Sequence, residues 1–204
     1  MSQSIDATAN DLWARVCSQH LPAGCDLIHR SLDDIEQRIY GCDEQIFKVR
    51  LRGERAWSLL RQQDLRGEYN ILRMCESIRG VPRALSFNAY DACEVSAYSR
   101  LPGIRLDESE LRLFESAHVA VGLFRILLRL SFRGIAHNDV KPNNILRADH
   151  SIALVDFDQA VRTSRFSALC MNLFGIRRGA VVVHGSFWSV LTRHLLRKHI
   201  PRRS

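Results

Sequence analysis

Polar and apolar residues alternate at three places between residues 27 and 50. The segments LIHRSL, EQRIYG and QIFKVRL are rich in β-branched and aromatic residues, and turn-forming residues separate them: Asp33-Asp34, then Gly41-Cys42-Asp43. This pattern predicts three short antiparallel strands. Beyond Gly53 the spacing changes. Trp57, Leu60, Leu65, Tyr69, Leu72 and Cys75 recur at three- to five-residue steps, which predicts a helix over 54–78 with one buried stripe, ended by Gly80 and Pro82. Two further strands follow, ALSF and CEVSAYS, split by a turn at 88–91.

Leu101-Pro102-Gly103 interrupts the pattern and divides the chain into an N-terminal part, 1–100, and a C-terminal part, 101–204. Asp107 with Glu110 resembles a capping box. A helix is predicted from there to about Arg133. Leu111, Phe114, Val121, Phe124 and Leu128 make it apolar over much of its surface, so it should be largely buried. Gly134 ends it. A polar loop, HNDVKPNN, precedes two strand-like pieces, NILR and IALVDF, and the chain closes with SFWSVLTRHLLRKHI. Five strands with one inserted helix, then a mostly helical half, predict an α+β architecture.

With 46% hydrophobic and 25% charged residues, the 204-residue chain is neither disordered nor fibrous, and it is long enough to bury a core. It contains no apolar run long enough to span a bilayer, and its first residues lack the pattern of a secretory signal. The six cysteines form no C-x-x-C pair. They are expected to be reduced thiols of a cytoplasmic protein rather than zinc ligands. The net charge of +7 is unevenly placed: residues 159–204 carry nine Lys/Arg and no Asp/Glu, and the rest is slightly acidic. A basic segment of this kind suits an anionic membrane surface, nucleic acid or an acidic partner, or forms the solvated face of a packed helix.

The segment 135–160, IAHNDVKPNNILRADHSIALVDFDQA, carries the most chemistry. His137, Asp139, Lys141, Pro142 and Asn144 stand in the register His-x-Asp-x-Lys-Pro-x-Asn, and Asp156-Phe157 follows 17 residues after Asp139. This resembles the catalytic and metal-binding loops of the protein-kinase-like superfamily. The resemblance implies a compact two-lobed protein-kinase-like fold with a truncated helical C-terminal lobe, with ATP bound between the lobes near residues 99–103. It implies transfer of the γ-phosphate of ATP to a hydroxyl, with Mg²⁺ as cofactor. Asp139 would be the base and Lys141 the charge stabiliser, and Asn144 and Asp156 would hold the metal. His137 would brace the loop. Lys48, in IFKVR, would hold the ATP phosphates, and Glu68, 20 residues later, would orient it, with Glu76 as a substitute.

Three departures separate the chain from the family pattern. Ser31-Leu32-Asp33-Asp34 stands where a glycine-rich phosphate loop is usual. Asp158 replaces the glycine of Asp-Phe-Gly, as in small-molecule kinases of the choline and aminoglycoside type. No Ala-Pro-Glu follows, and only 46 residues remain after Asp158. The shortening resembles RIO-like kinases, the kinase of the tRNA threonylcarbamoyl complex and bacterial lipopolysaccharide-core sugar kinases.

Lys141-Pro142 resembles Ser/Thr protein kinases, so the first expectation for the acceptor is a protein. The alternative is a lipid-linked glycan: Phe187, Trp188, Leu191, Leu195 and Leu196 fall near one face of the last helix, and Arg193, Arg197 and Lys198 near the other. Such a helix could lie on the anionic inner face of a membrane, or it could be the buried floor beneath the catalytic loop. Nucleic acid is the least expected partner. A third reading, from a different class, is a pseudokinase scaffold, which the missing glycine loop favours and the retained charged positions oppose.

Overall fold

The computed structural model describes residues 2–30, 37–51, 65–149, 151–176 and 185–196. The chain is mixed α+β and divides into two units, residues 1–61 with 84–100 and residues 62–83 with 101–204.

The first unit holds helix α1 (Ser2–His20) and strands β1 (Asp26–Arg30), β2 (Gln37–Cys42), β3 (Gln45–Leu51), β4 (Ala84–Ala89) and β5 (Cys93–Ser99). They form one antiparallel sheet in the order β1-β2-β3-β5-β4. Side chains alternate across a pleated strand. Phe47, Val49 and Leu51 of β3 therefore share a face with their partners Ala97, Val95 and Cys93 of β5. Trp13 and Val16 of α1 close that face, with Tyr40 from β2. The Arg38 guanidinium lies 4.2 Å from the centre of the Trp13 ring, and the Cys17 thiol donates to Tyr40 Oη at 3.0 Å. The hydrophobic pattern gave no expectation for α1. Its described apolar contacts crowd into Leu12–Cys17, too short a stripe to stand out.

The second unit begins in the predicted helix 54–78. Its described part is α2 (Leu65–Met74), and the positions of Trp57 and Leu60 lie outside the described residues. Leu65, Ile71 and Leu72 are buried, and so is Glu68. The helix stops at Met74, four residues short of the expectation, and single turns carry the chain through Cys75 and Ile78. Gly80 has φ 87°, and a Cβ there would stand 2.5 Å from the Ile152 carbonyl oxygen, so this turn requires glycine. Strand β6 (Ile104–Arg105) then leads to helix α3 (Leu113–Phe132).

Two expectations for α3 are corrected. Asp107 does not cap it: residues Leu106–Glu108 form a separate 3₁₀ turn, and the Asp107 carboxylate pairs with Arg105 at 2.6 Å. The helix starts six residues later, where Glu115 reaches back to accept the Arg112 N–H at 2.7 Å. Nor is the helix buried on most sides. Val119, Leu123, Ile126, Leu127 and Leu130 form the inward stripe, whereas Phe114 is 88% exposed and Val121 about half exposed. An even scatter of apolar residues hides which face is covered, because the covering elements come from later in the chain.

Those elements are β7 (Ile135–Ala136), β8 (Ile145–Ala148), β9 (Ser151–Leu154), β10 (Val161–Arg162), α4 (Arg165–Phe174) and α5 (Phe187–Val190). β6, β8 and β9 form a small sheet, and β10 pairs with β7. α4 and β9 pack on α3. Ser164 caps α4 by accepting the Ser167 N–H, and Gly175 ends it in the left-handed region. After α5 the chain continues as a π-helical turn, Leu191–Leu196. That widening alters the periodicity, so the expected single apolar face is split. Phe187, Val190 and Leu195 are buried, and Trp188 and Leu196 stay partly exposed, as does Arg193. Arg197 and Lys198 lie outside the described residues. All six cysteines are free thiols. Among the described residues no helix is long and apolar enough to cross a membrane.

Candidate functional site

The loop 137–144 leaves β7 and returns into β8, and a second loop, 155–160, leaves β9 and returns into β10. Short ladders thus pin both ends of both loops. Within them, side chains replace the ladder as partners of the buried backbone, since a polar group taken from water needs one.

His137 is fully buried. The Asp139 N–H donates to its Nδ1 at 3.3 Å, so Nδ1 is the acceptor nitrogen, and Nε2 carries the hydrogen facing the Val155 carbonyl at 3.1 Å. The ring also stands edge-on to Phe157, 4.6 Å between centroids. It therefore braces one loop against the other. Asn138 adds a second tie, donating to the Gln159 carbonyl at 3.0 Å. Asn138 and Asp156 both adopt φ of 65°, a left-handed conformation that Asn and Asp tolerate better than other side chains.

Asp139 is 4% exposed. Its Oδ2 accepts from Asn144 Nδ2 at 2.8 Å and pairs with Lys141 Nζ at 2.7 Å. Asn144 Nδ2 also donates to the Asp139 carbonyl at 3.0 Å. One amide thus fixes both the backbone and the side chain of Asp139. Lys141 is partly exposed, with its charge directed at the buried carboxylate. Asp156 and Asp158 each bring a carboxylate oxygen within 4.8 Å of Asp139 and of one another.

Glu68, from α2, is 2% exposed and accepts the Phe157 N–H at 3.2 Å, holding the backbone one residue beyond Asp156. Five of the six sequence-predicted residues (Glu68, Asp139, Lys141, Asn144 and Asp156) thus belong to the second unit. Lys48 belongs to the first. It sits on the middle strand of that sheet, opposite Ser96 and Ile39, on the face away from α1, and is 5% exposed. The segment 31–34, where a glycine loop would be sought, lies outside the described residues.

Two structural supports carry no signal in the motif. Asn172 of α4 is fully buried. Its Oδ1 accepts the His137 N–H at 2.8 Å, and its Nδ2 donates to the Ile135 carbonyl at 2.9 Å and to Ser131 Oγ at 3.0 Å. It locks the entry of the loop to α3 and α4. The only hint in the sequence is an asparagine inside an apolar helix, ALCMNLF. Gly185 forms a bridge to Asp139 and donates its N–H to the Asn138 carbonyl at 3.3 Å. A Cβ on it would overlap the Val140 carbonyl oxygen.

Comparison of the chain with protein-family models and with curated proteins finds no match. The functional reading therefore stands on the residues and their geometry.

Proposed function

We propose that the protein is an ATP-dependent, Mg²⁺-requiring phosphotransferase that passes the γ-phosphate of ATP to an acceptor hydroxyl. The observation that carries this reading is the buried Asp139 carboxylate, held by Asn144 and Lys141 on one oxygen and converging with Asp156. The fold proposed with it is a compact two-lobed protein-kinase-like fold with a truncated helical C-terminal lobe. A five-stranded antiparallel sheet with a buried lysine on its middle strand supports that, as do two polar loops in the helix-rich unit.

The donor set suits a hard divalent cation. Asp139, Asp156 and Asp158 offer carboxylate oxygens, and Asn144 keeps Oδ1 outside its hydrogen bonds to Asp139. In this reading Asn144 and Asp156 would hold the ion, which would supply charge to neutralise the phosphates. Asp139 takes the proton of the acceptor hydroxyl at its carboxylate. Lys141, 2.7 Å from Asp139, supplies positive charge beside the transferred phosphoryl group. Lys48 holds the phosphates of ATP. Glu68, tied to Phe157 N, keeps the Asp156 loop in place; the orienting of Lys48 is what the resemblance assigns to it.

The first acceptor proposed is a Ser/Thr hydroxyl of a protein, because of Lys141-Pro142. A glycolipid hydroxyl at a membrane is the second reading, and a specific observation favours it. Phe124, Phe174, Phe187 and Trp188 form a chain of ring contacts, three of them partly exposed, and the exposed Arg193 follows Trp188 by five positions in the chain. The test is transfer from γ-labelled ATP in a lysate of the source cells, fractionated into protein, glycolipid and nucleic acid, with Asp139→Asn as control. Label above control in protein is expected. Label in glycolipid promotes the second reading. A folded protein indistinguishable from its Asp139→Asn control in every fraction would instead be a pseudokinase scaffold.

A further inference from the structure

We propose that Asp158 is a metal-holding residue, and that in the nucleotide-free chain, before Asp139 serves as a base, Asp139, Asp156 and Asp158 together bind one divalent cation. Its catalytic meaning rests on the phosphotransferase reading; the binding itself does not. At position 158 the family pattern has glycine, which offers no ligand, and the two residues assigned to the metal by resemblance are Asn144 and Asp156.

Spacing is the first argument. One carboxylate oxygen from each of the three aspartates lies within 4.8 Å of the other two. In one octahedral shell neighbouring oxygens stand roughly 3 Å apart and opposite ones roughly 4.2 Å for Mg²⁺. The three oxygens would therefore have to draw inward by side-chain rotation to share one ion. The loop that carries Asp158 is also held firmly, through Glu68 on Phe157 N and Asn138 on the Gln159 carbonyl, on either side of residue 158. The backbone that carries the Asp158 carboxylate is thereby positioned.

An independent argument comes from hydrogen bonding. Asp139 is 4% exposed, and its Oδ1 is buried with no hydrogen-bond partner, although Oδ2 has two. Native structures rarely leave such an atom unsatisfied, and a cation shared with the two neighbouring carboxylates would satisfy it.

The experiment titrates the nucleotide-free full chain with Mn²⁺ alone, reading free Mn²⁺ by electron paramagnetic resonance, and repeats it with Asp158→Gly and Asp158→Asn. Asp158→Asn keeps the side-chain shape, so a folding defect in the glycine variant does not decide the outcome. Thermal unfolding verifies that each protein is folded. One Mn²⁺ bound by the parent chain, with affinity about tenfold weaker in both variants, is the expected result. Saturating binding that is equal in parent and variants would overturn the role of Asp158. No binding by the parent chain without nucleotide would overturn the proposal as a whole. The phosphotransferase reading fails separately: Mn²⁺ binding that depends on Asp158, with no transfer from labelled ATP, leaves the cation site standing and removes the kinase.

Discussion

The sheet of the first unit and the paired loops of the second place their candidate side chains by different means. Lys48 is placed by a ladder. Backbone hydrogen bonds to β2 and β5 hold β3, and strict alternation puts Phe47 and Val49 under α1 and Lys48 on the opposite face. Among the described residues, Asp139 has a single isolated bridge, to Gly185. His137 and Asn144 bond Asp139 directly, while Asn172 and Gly185 hold His137 and Asn138 just before it, one bond at a time. A ladder spreads its energy over many equivalent bonds, so a single substitution is felt gradually. A loop held by single side chains concentrates it, and losing one leaves buried groups without partners.

The largest effect expected from this contrast is on chemistry. Asp139→Asn removes the proposed base while its neighbours keep the loop folded, so phosphate transfer should fall by about 10³-fold. A thermal midpoint near that of the parent, measured on the same preparation, would show that the loss is chemical. Next comes stability. Asn172→Ala strands the His137 N–H and the Ile135 carbonyl in the core, at about 1–3 kcal/mol for each buried group. Val49→Ala, in the sheet core, should cost about 1–3 kcal/mol in total. Urea unfolding of the two variants side by side checks the ranking, and a Val49→Ala protein less stable than Asn172→Ala would break the comparison.

A smaller effect is a pH dependence of the second unit. Burial pushes the Cys75 thiol from the ordinary value of 9.0 up to about 12. A raised thiol pKa means that the folded form prefers the proton. The stabilisation is complete below pH 9, where the unfolded thiol is also protonated, and is lost as pH climbs from 9 towards 12. The slope contributed is at most about 1.4 kcal/mol per pH unit. Stability measured from pH 8 to 11 should fall less steeply in Cys75→Ala than in the parent. The smallest effect is expected at the surface. Arg105→Ala breaks an exposed pair with Asp107 and should change stability by less than about 0.5 kcal/mol. A larger loss would mean that the 3₁₀ turn at Leu106–Glu108 matters to the start of α3.

Legibility in the sequence followed the same contrast. The five strands could be read because alternation and turn residues are local signals, and in the sheet each strand keeps its predicted place within a few residues. The residues of the two polar loops could be picked out because their chemistry stands at fixed spacing along one stretch of chain. The start of α3 is not legible locally: Asp107 and Glu110 have the right spacing for a cap, yet Arg105 engages Asp107 instead. The single apolar face expected after Phe187 assumed an α-helical period, and a π-helical turn replaces it.

By itself, the sequence determined an α+β chain, the strands of its main sheet and a concentration of Asp, Asn and Lys in two short loops, since periodicity and identity are properties of neighbours along the chain. Tertiary structure alone decided which face of α3 is covered, that Asn172 locks the loop entry from 35 residues away, and that Glu68 reaches Phe157 across 89. It also decided that Asp158 joins Asp139 and Asp156. The physical reason is that a buried polar group takes whichever partner packing brings within 3 Å or so, and packing joins segments that no local pattern connects.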